Sequence, residues 1–157
     1  MEITHRPTDD IGTNLWCPAD DLWSHRLILE VRPGDQVLHW RAAATGVEAA
    51  IVAWSEVTGM PRKGRTHYYD DVSKIETWQV TLGGANWFRQ PVTANSLLPL
   101  LGDLMNVRDE IEATHGKPIY FPFINYARRQ LRARQAYLTK FPSELFGVIP
   151  RIQSARM

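Results

Sequence analysis

The chain has 157 residues, 44% of them hydrophobic, and a formal net charge of +1. This length and composition are typical of one compact domain, so we expect a single domain over residues 1–157. Cys17 is the only cysteine, which excludes an internal disulfide and favours the cytoplasm as the location. The N-terminus lacks the apolar run of a signal peptide, and the longest apolar run, at 49–54, is too short to cross a bilayer, so no membrane partner is expected.

The charge is unevenly distributed along the chain. Residues 117–157 hold eight lysines and arginines against one acidic residue, a net charge of +7, so the other 116 residues carry −6. A neutral protein with one basic end favours a polyanion bound on one face, and the candidate phosphate-binding residues are Arg128, Arg129, Arg132 and Arg134. An ordinary solvated helix and loop is the alternative for this segment.

The first part of the chain contains the main sheet signal. Residues 1–13 look like a polar lead-in, 14–18 like a first strand, and 18–30 like a helix that begins with a proline. Residues 36–41 alternate and residues 49–57 are largely apolar, which predicts two strands joined as a hairpin.

The rest of the chain predicts a long loop, two strands and two helical regions. Residues 60–74 are polar, contain proline and glycine, and predict the loop. Residues 77–82 alternate and predict a half-buried strand. The main helical signal spans 93–115, where a proline and a glycine divide it into a short helix and a longer one. A short strand at 119–123 and a final short helix at 142–148 complete the expected elements.

The familiar motifs of enzymes are missing or incomplete. The segment GMPRKGRT at 59–66 differs by one residue from a phosphate-binding loop, but Arg65 replaces the lysine and no helical pattern follows. The five histidines lack paired metal-ligand spacing, and no Gly-x-Ser-x-Gly nucleophile elbow occurs. The sequence therefore offers no positive case for catalysis, a metal site or a cofactor.

Aromatic side chains are more frequent than a small core requires, with six tryptophans and five tyrosines. Trp78 shares one face of the predicted strand at 77–82 with Val80 and Leu82, and it is expected in the core. The other five tryptophans lie at or near predicted strand ends or loops: Trp16, Trp23, Trp40, Trp54 and Trp87. Rigid aromatic faces can sandwich a planar base, and each stacked base contributes about 1–3 kcal/mol. Such a sandwich would roughly offset the cost of extruding a base from a duplex, leaving phosphate contacts to supply the net affinity. Core packing is the alternative for each tryptophan taken singly.

Four short motifs occur in a particular order. They are Asn14-x-Trp16, Gly34-Asp35-x-Val37-Leu38-His39-Trp40, Ile51-Val52-Ala53-Trp54-Ser55-Glu56-Val57, and Pro91-Val92-Thr93 at a helix start. In this order and spacing the chain resembles the EVE/YTH-like group of the PUA superfamily, over roughly residues 12–150. The resemblance implies an α+β fold, built on a small, partly open mixed β-barrel flanked by helices.

The resemblance also implies where a base would bind. Similar reader domains of modification-dependent restriction systems flip a modified base from DNA into an aromatic-lined pocket, and YTH relatives take methylated adenine from single-stranded RNA. The resulting candidates for the base pocket are Asn14, Trp16, His39, Trp40, Trp54, Ser55 and Trp87. The third aromatic residue of the cage is open among Trp23, Tyr68, Trp87 and Tyr120.

Three functions are consistent with these features. The leading hypothesis is a non-catalytic reader of modified bases in DNA, which serves restriction or defence and acts with a nuclease or motor protein. The first alternative is an RNA-binding module. The second is a small-ligand or protein-interaction domain that uses the tryptophan pocket without a polyanion.

Overall fold

The computed structural model describes residues 1–5, 10–67, 74–126 and 130–154. The strands in this part of the chain are β1 (Glu2–Thr4), β2 (Asn14–Pro18), β3 (Gln36–Arg41), β4 (Ala50–Glu56), β5 (Arg62–His67), β6 (Lys74–Thr81), β7 (Asn86–Thr93), β8 (Phe123–Tyr126) and β9 (Gln130–Ala133). The helices are α1 (Trp23–Arg26), α2 (Ala94–Leu97), α3 (Leu101–His115), α4 (Leu145–Val148) and α5 (Pro150–Ser154), with 3-10 turns at Leu27–Glu30 and Leu98–Leu100.

The larger sheet has the strand order β1-β3-β4-β7. Its centre is the predicted hairpin, which is confirmed: β3 has the expected bounds, and β4 lies within the predicted range 49–57. β1 pairs with β3 in parallel, whereas the other pairs are antiparallel. The apolar residues 50–53 of β4 are buried between two neighbouring strands, as expected of a central strand.

A second sheet has the order β2-β6-β5, and all its pairs are antiparallel. The two sheets meet at a bridge between Val57 and Leu82, and the N–H of Gly83 donates a hydrogen bond to the carbonyl of Glu56. They thus continue into each other and remain open. With the short β8–β9 hairpin and the helices, they form the α+β, partly open mixed arrangement that was predicted, so the fold class is confirmed.

The core has two main apolar clusters. One lies between the larger sheet, the helices and the C-terminal segment, and it includes Trp40 and Phe123. The other covers one face of the second sheet and includes Leu15. Trp78, which was expected in the core, lies at the margin of this second cluster. Its ring is partly buried, with Lys63 Nζ 5.5 Å from the ring centroid.

The helical region at 93–115 follows the prediction. Thr93 caps α2, since its Oγ1 accepts a hydrogen bond from the N–H of Ser96 at 3.1 Å. Pro99 falls in the 3-10 turn between α2 and α3, and Gly116 ends α3 with a left-handed φ of 66°. Neither α3 nor any other helix of the described residues is long and apolar enough to cross a membrane.

Three strands lie where the sequence predicted irregular structure. β1 occupies the predicted lead-in, and its polar residues Glu2 and Thr4 are buried beside β3. β5 occupies part of the predicted loop at 60–74, and its charged edge-strand side chains show no apolar alternation. β7 places Trp87 in a strand rather than a loop. This edge strand tolerates Pro91, which cannot donate to a ladder, because one side of an edge is unpaired.

Other elements differ from the prediction in their bounds. The helix predicted at 18–30 is reduced to α1 and one 3-10 turn, because Pro18 still belongs to β2. The strand predicted at 119–123 begins only at Phe123, after two prolines that lack a backbone donor. The helix predicted at 142–148 is present as α4 but begins only at Leu145, and α5 follows it.

The close approach of Gly12 to Ala85 is a testable constraint on the fold. Gly12 has a φ of +86°, and a Cβ at this position would lie 2.5 Å from the backbone nitrogen of Ala85. We expect Gly12→Ala to lose more unfolding free energy than the roughly 1–2 kcal/mol that the left-handed conformation alone costs, measured by urea denaturation. Gly46→Ala is the control, because its φ is +72° and nothing lies within 4 Å of its Cβ position. Equal losses in the two variants would show that the contact with Ala85 does not constrain the fold.

Candidate functional site

A cleft of ≈ 1350 Å³ opens beside β2 and β3. Four rings line what we call the aromatic cleft: Trp16 on β2, Trp23 at the start of α1, Trp40 on β3, and Tyr137 in the segment after β9. The volume exceeds the roughly 300–1,000 Å³ of typical small-molecule sites. The cleft can therefore admit a planar ring together with groups attached to it.

Strand alternation explains how Trp16 reaches the cleft. Its neighbours Leu15 and Cys17 point into the second apolar cluster, so Trp16 faces the opposite side of β2. Trp16 is partly buried and forms a wall, whereas Trp40 is only 3% exposed and belongs to the floor. An edge-on contact with Phe123, with ring centroids 6.0 Å apart, fixes the Trp40 ring.

Trp23 is held by a stacked ring outside the cleft, and a guanidinium contacts that ring in turn. The Tyr120 ring stacks on it, with centroids 3.7 Å apart and planes inclined by 14°. The guanidinium of Arg134 lies 5.8 Å from the Tyr120 ring centroid, and its Nε donates to the carbonyl of Phe121 at 3.0 Å. Stacking and cation–π contacts of this kind stabilise rings that are only partly buried. Trp23 is thus positioned without being enclosed in the core.

Polar groups stand next to the aromatic walls at α1. His25 lines the cleft, and its Nδ1 lies 2.7 Å from Asp20 Oδ1, which also accepts from the N–H of Leu22 at 3.0 Å. Desolvation of the Asp20 carboxyl favours its neutral form, but these hydrogen bonds outweigh it and lower the pKa of Asp20. The carboxylate therefore stays ionised in mild acid and continues to orient the imidazole of His25.

A chain of hydrogen bonds runs from the cleft into the core. The N–H of Trp16 donates to Tyr137 Oη at 2.8 Å, and the Tyr137 hydroxyl donates to Glu2 Oε1 at 3.1 Å. Glu2 Oε2 lies 2.6 Å from His39 Nδ1, and His39 Nε2 lies 2.8 Å from Ser55 Oγ. This series of hydrogen bonds connects β2 with β1, β3 and β4 behind the cleft.

The arrangement of Glu2, His39 and Ser55 is that of a nucleophile triad, in which an acid, a histidine and a serine are joined by hydrogen bonds. All three side chains are buried, so a substrate cannot reach them. Their exposed fractions are 2%, 0% and 0%. We assign them a structural role, because buried polar groups need partners and these three supply them to one another. In the part of the chain that the structure describes, no group of three His, Cys, Asp or Glu residues could hold a metal ion.

The structure brings three of the predicted site residues into the aromatic cleft: Trp16, Trp40 and Arg132. His39 and Ser55 lie behind the cleft, in the buried hydrogen-bond chain. Both are fully buried, and the hydrogen bonds of Glu2 and Tyr137 connect them to the cleft.

The other predicted residues lie elsewhere or cannot be placed. Asn14 is exposed at the start of β2, Trp54 packs against the first apolar cluster, and Trp87 is 47% exposed on β7. Arg134 contacts the Tyr120 ring that stacks on Trp23. Three further candidates lie outside the described residues: Tyr68, Arg128 and Arg129.

Trp23 was one of the open candidates for the cage, and the structure places it in the lining of the cleft. Other parts of the site were missed by the sequence analysis. Tyr137 and Glu2 had no local signal, because the hydrogen bond that joins them spans 135 positions of the chain. The five-residue spacing of Asp20 and His25 likewise does not by itself indicate a contact.

The buried hydrogen bonds of His39 predict a loss of stability when one partner is removed. Ser55→Ala removes the hydroxyl beside His39 Nε2 and leaves a buried ring nitrogen without this partner. We expect a loss of about 1–3 kcal/mol in unfolding free energy, measured by urea denaturation. Ser143→Ala is the control, because Ser143 is exposed and such substitutions usually stay within about 0.5 kcal/mol. We also expect no reaction of the folded protein with a fluorophosphonate, and labelling of Ser55 would contradict the structural role.

Known proteins resemble this chain in structure rather than in sequence. No protein-family profile matches the chain, and no curated protein matches it. Among solved structures it is similar to a protein from Pseudomonas putida, with 11% identity over 92% of this chain and 87% of that chain and a TM-score of 0.45. It is similar to human THYN1 in complex with DNA containing 5-methylcytosine, with 10% identity over 88% and 78% of the two chains and a TM-score of 0.40. It is also similar to the DUF55 domain of human thymocyte nuclear protein 1, with 11% identity over 64% and 60% and a TM-score of 0.35.

Proposed function

We propose that this protein is a non-catalytic reader of modified nucleobases, which takes a modified base flipped from DNA into the aromatic cleft. The observation that carries the proposal is the convergence of Trp16, Trp23 and Trp40 on one opening of ≈ 1350 Å³. Every base has a flat face that stacks on such rings, with a contribution of about 1–3 kcal/mol per base.

The rings are positioned before a ligand arrives. Phe123 holds the Trp40 ring, Tyr120 holds the Trp23 ring, and the Tyr137 hydroxyl anchors the backbone of Trp16. A preorganised site loses less side-chain entropy on binding, so more of the stacking energy appears as affinity. This supports base flipping, because extrusion of a base itself costs a few kcal/mol.

The cleft also supplies groups that can distinguish one base from another. Leu22, Ala42 and Ala43 line it beside the rings, so an added methyl group can lose its contact with water there. Burial of such a group is favourable by about 0.8 kcal/mol, roughly a fourfold preference. The side chains of His25 and Asn95 provide hydrogen-bonding groups for the base edge.

Within this proposal the protein identifies modified DNA for restriction or defence. Cleavage is then the task of a nuclease or motor protein that acts with the reader. The closed position of Ser55 supports a reader that does not itself catalyse, because the triad-like arrangement around it cannot meet a substrate.

The charge around the cleft favours a second candidate, a small-ligand or protein-interaction domain. Asp10 and Glu48 line the opening together with Arg132, so the described rim has both signs of charge. A rim of mixed charge attracts a polyanion less than a basic one does. A neutral or zwitterionic ligand would fit the same aromatic walls.

The proposal predicts discrimination between modified and unmodified DNA. We expect a DNA duplex that contains either 5-methylcytosine or N6-methyladenine to bind more tightly than the matched unmodified duplex. The affinities are measured by fluorescence anisotropy. Equal affinity for all modified and unmodified duplexes would overturn it. A preference found only in matched RNA would favour the RNA-binding module, and no binding to either would favour the small-ligand domain.

Removal of one wall ring tests whether the base binds in the aromatic cleft or at another aromatic residue of the surface. Trp16→Ala should weaken binding of the preferred duplex by about 5- to 150-fold, the loss of one stacked face, with little change in melting temperature. Trp87→Ala is the control, because this ring is 47% exposed on β7 and does not line the cleft. The reverse result, with Trp87 required and Trp16 dispensable, would move the base pocket to β7.

A further inference from the structure

The aromatic cleft is larger than a bare base requires. Its volume of ≈ 1350 Å³ exceeds the roughly 300–1,000 Å³ of sites that hold drug-sized ligands, and a base is smaller than such a ligand. A base that stacks on the rings of Trp16 and Trp23 therefore leaves part of the cleft to a group attached to it. The residues that line this remaining part indicate the chemistry of that group.

The lining of the cleft changes along β1. The N–H of Ile3 donates to the carbonyl of Tyr137 at 3.0 Å, which places this residue of β1 beside an aromatic wall. One residue further, the carbonyl of Thr4 accepts from the N–H of Ala42 at 3.1 Å, where small side chains form the lining. Residues of a strand advance by about 3.3 Å, so the cleft passes from rings to small and polar side chains within a few residues.

The far part of the cleft is formed by the start of α2 and the residues before β4. Glu48 Oε1 accepts from the backbone N–H of Asn95 at 2.6 Å, and the carbonyl of Ala49 accepts from the N–H of Ala94 at 2.9 Å. These bonds hold the two segments together and use only the backbone of Asn95. Its side-chain amide is exposed and lines the cleft.

Four polar side chains in this part of the cleft are available to a ligand. All four are exposed, and none of them makes a hydrogen bond or ion pair through its side chain within the described residues. They are His5, Asp10, Asn95 and Gln135, and with Glu48 we call them the polar end of the cleft. Apolar walls with a few convergent polar groups are typical of a ligand site.

The charges of the polar end disfavour a phosphate as its ligand. The described lining of the cleft contains two carboxylates, Asp10 and Glu48, against the one cation Arg132. A phosphate is negatively charged and offers acceptor oxygens, and a carboxylate also only accepts. A hydroxyl group both donates and accepts, so it can bind a carboxylate and a side-chain amide alike. The polar end is therefore complementary to a neutral group with several hydroxyls.

We propose that the base read by this protein carries a neutral, hydroxyl-rich substituent such as a hexose. The base stacks on the rings of Trp16 and Trp23, and the hydroxyls of the substituent bind Asp10, Asn95 and Gln135 at the polar end. This inference rests on the proposed function and names the class of its substrate.

The test compares four DNA duplexes that differ at one cytosine. The cytosine is unmodified, 5-methylated, 5-hydroxymethylated, or glucosylated on the hydroxymethyl group, and affinities are measured by fluorescence anisotropy. One neutral hydrogen bond changes affinity by about 2- to 12-fold, so two or more should make the glucosylated duplex bind about fivefold or more tightly than the hydroxymethylated one. A glucosylated duplex that binds no more tightly would overturn the inference. The base-reading function would still stand if the 5-methylated duplex remained preferred over the unmodified one.

A double variant tests the side chains of the polar end. Asn95→Ala/Gln135→Ala should weaken binding of the glucosylated duplex by about 5- to 150-fold, the loss of two hydrogen bonds, and leave binding of the 5-methylated duplex unchanged. Circular dichroism should show the variant folded, because both side chains are exposed.

The matched control removes the same two residue types elsewhere. Gln90→Ala/Asn106→Ala alters exposed residues of β7 and α3, neither of which lines the cleft. Its affinities should remain those of the unaltered protein. Equal losses in the two double variants would overturn the assignment of the polar end. No preference among the four duplexes would overturn the base-reading function together with this inference.

Discussion

The hydrogen bonds that Glu2 makes to His39 and Tyr137 connect the parts of the molecule on which the cleft depends. Residues 137–139 pair with β1 through the N–H of Ile3 and the carbonyl of Tyr137 at 3.0 Å, and β1 in turn pairs with β3. A buried carboxylate is unfavourable unless its oxygens are hydrogen-bonded, so these partners must be in place together. The requirement fixes the segment that carries Tyr137 relative to the sheet that carries Trp40. Since Tyr137 also accepts from the backbone of Trp16, the same constraint sets the distance between two walls of the cleft.

The aromatic residues divide between core and cleft according to how each ring is held. Trp40 is almost fully buried, and it contributes to the floor only through the part of its ring that the core leaves uncovered. Trp23 depends on stacking with Tyr120, itself 54% exposed, and so remains accessible. A ring fixed by neighbours on one face can offer the other face to a ligand at little entropic cost. The aromatic side chains are therefore divided between packing in the core and the walls of the cleft.

Positive charge is used in different ways at different places on the surface. Arg134 contacts a tyrosine ring and a backbone carbonyl, and these contacts stabilise the wall of the cleft. The cations of β5 are exposed along a strand edge, where Lys63 also lies over the ring of Trp78. Arg132 lines the opening in the company of Asp10 and Glu48. The count of charges along the chain is thus a poor guide to which of them a polyanion would meet.

Local patterns in the sequence by themselves determined the β3–β4 hairpin, the strand that carries Trp16, and the capped helical region at 93–115, because hydrophobic period and turn residues act over a few positions. They also identified Trp16 and Trp40 as aromatic residues available for a cleft. Tertiary structure alone decided that Glu2 is buried, that β5 is a strand, and that Tyr137 lies beside Trp16. A polar residue can be buried, or a charged segment extended, only when distant partners satisfy its hydrogen bonds. The contacts that do so here join residues up to 135 positions apart, beyond the reach of any local pattern.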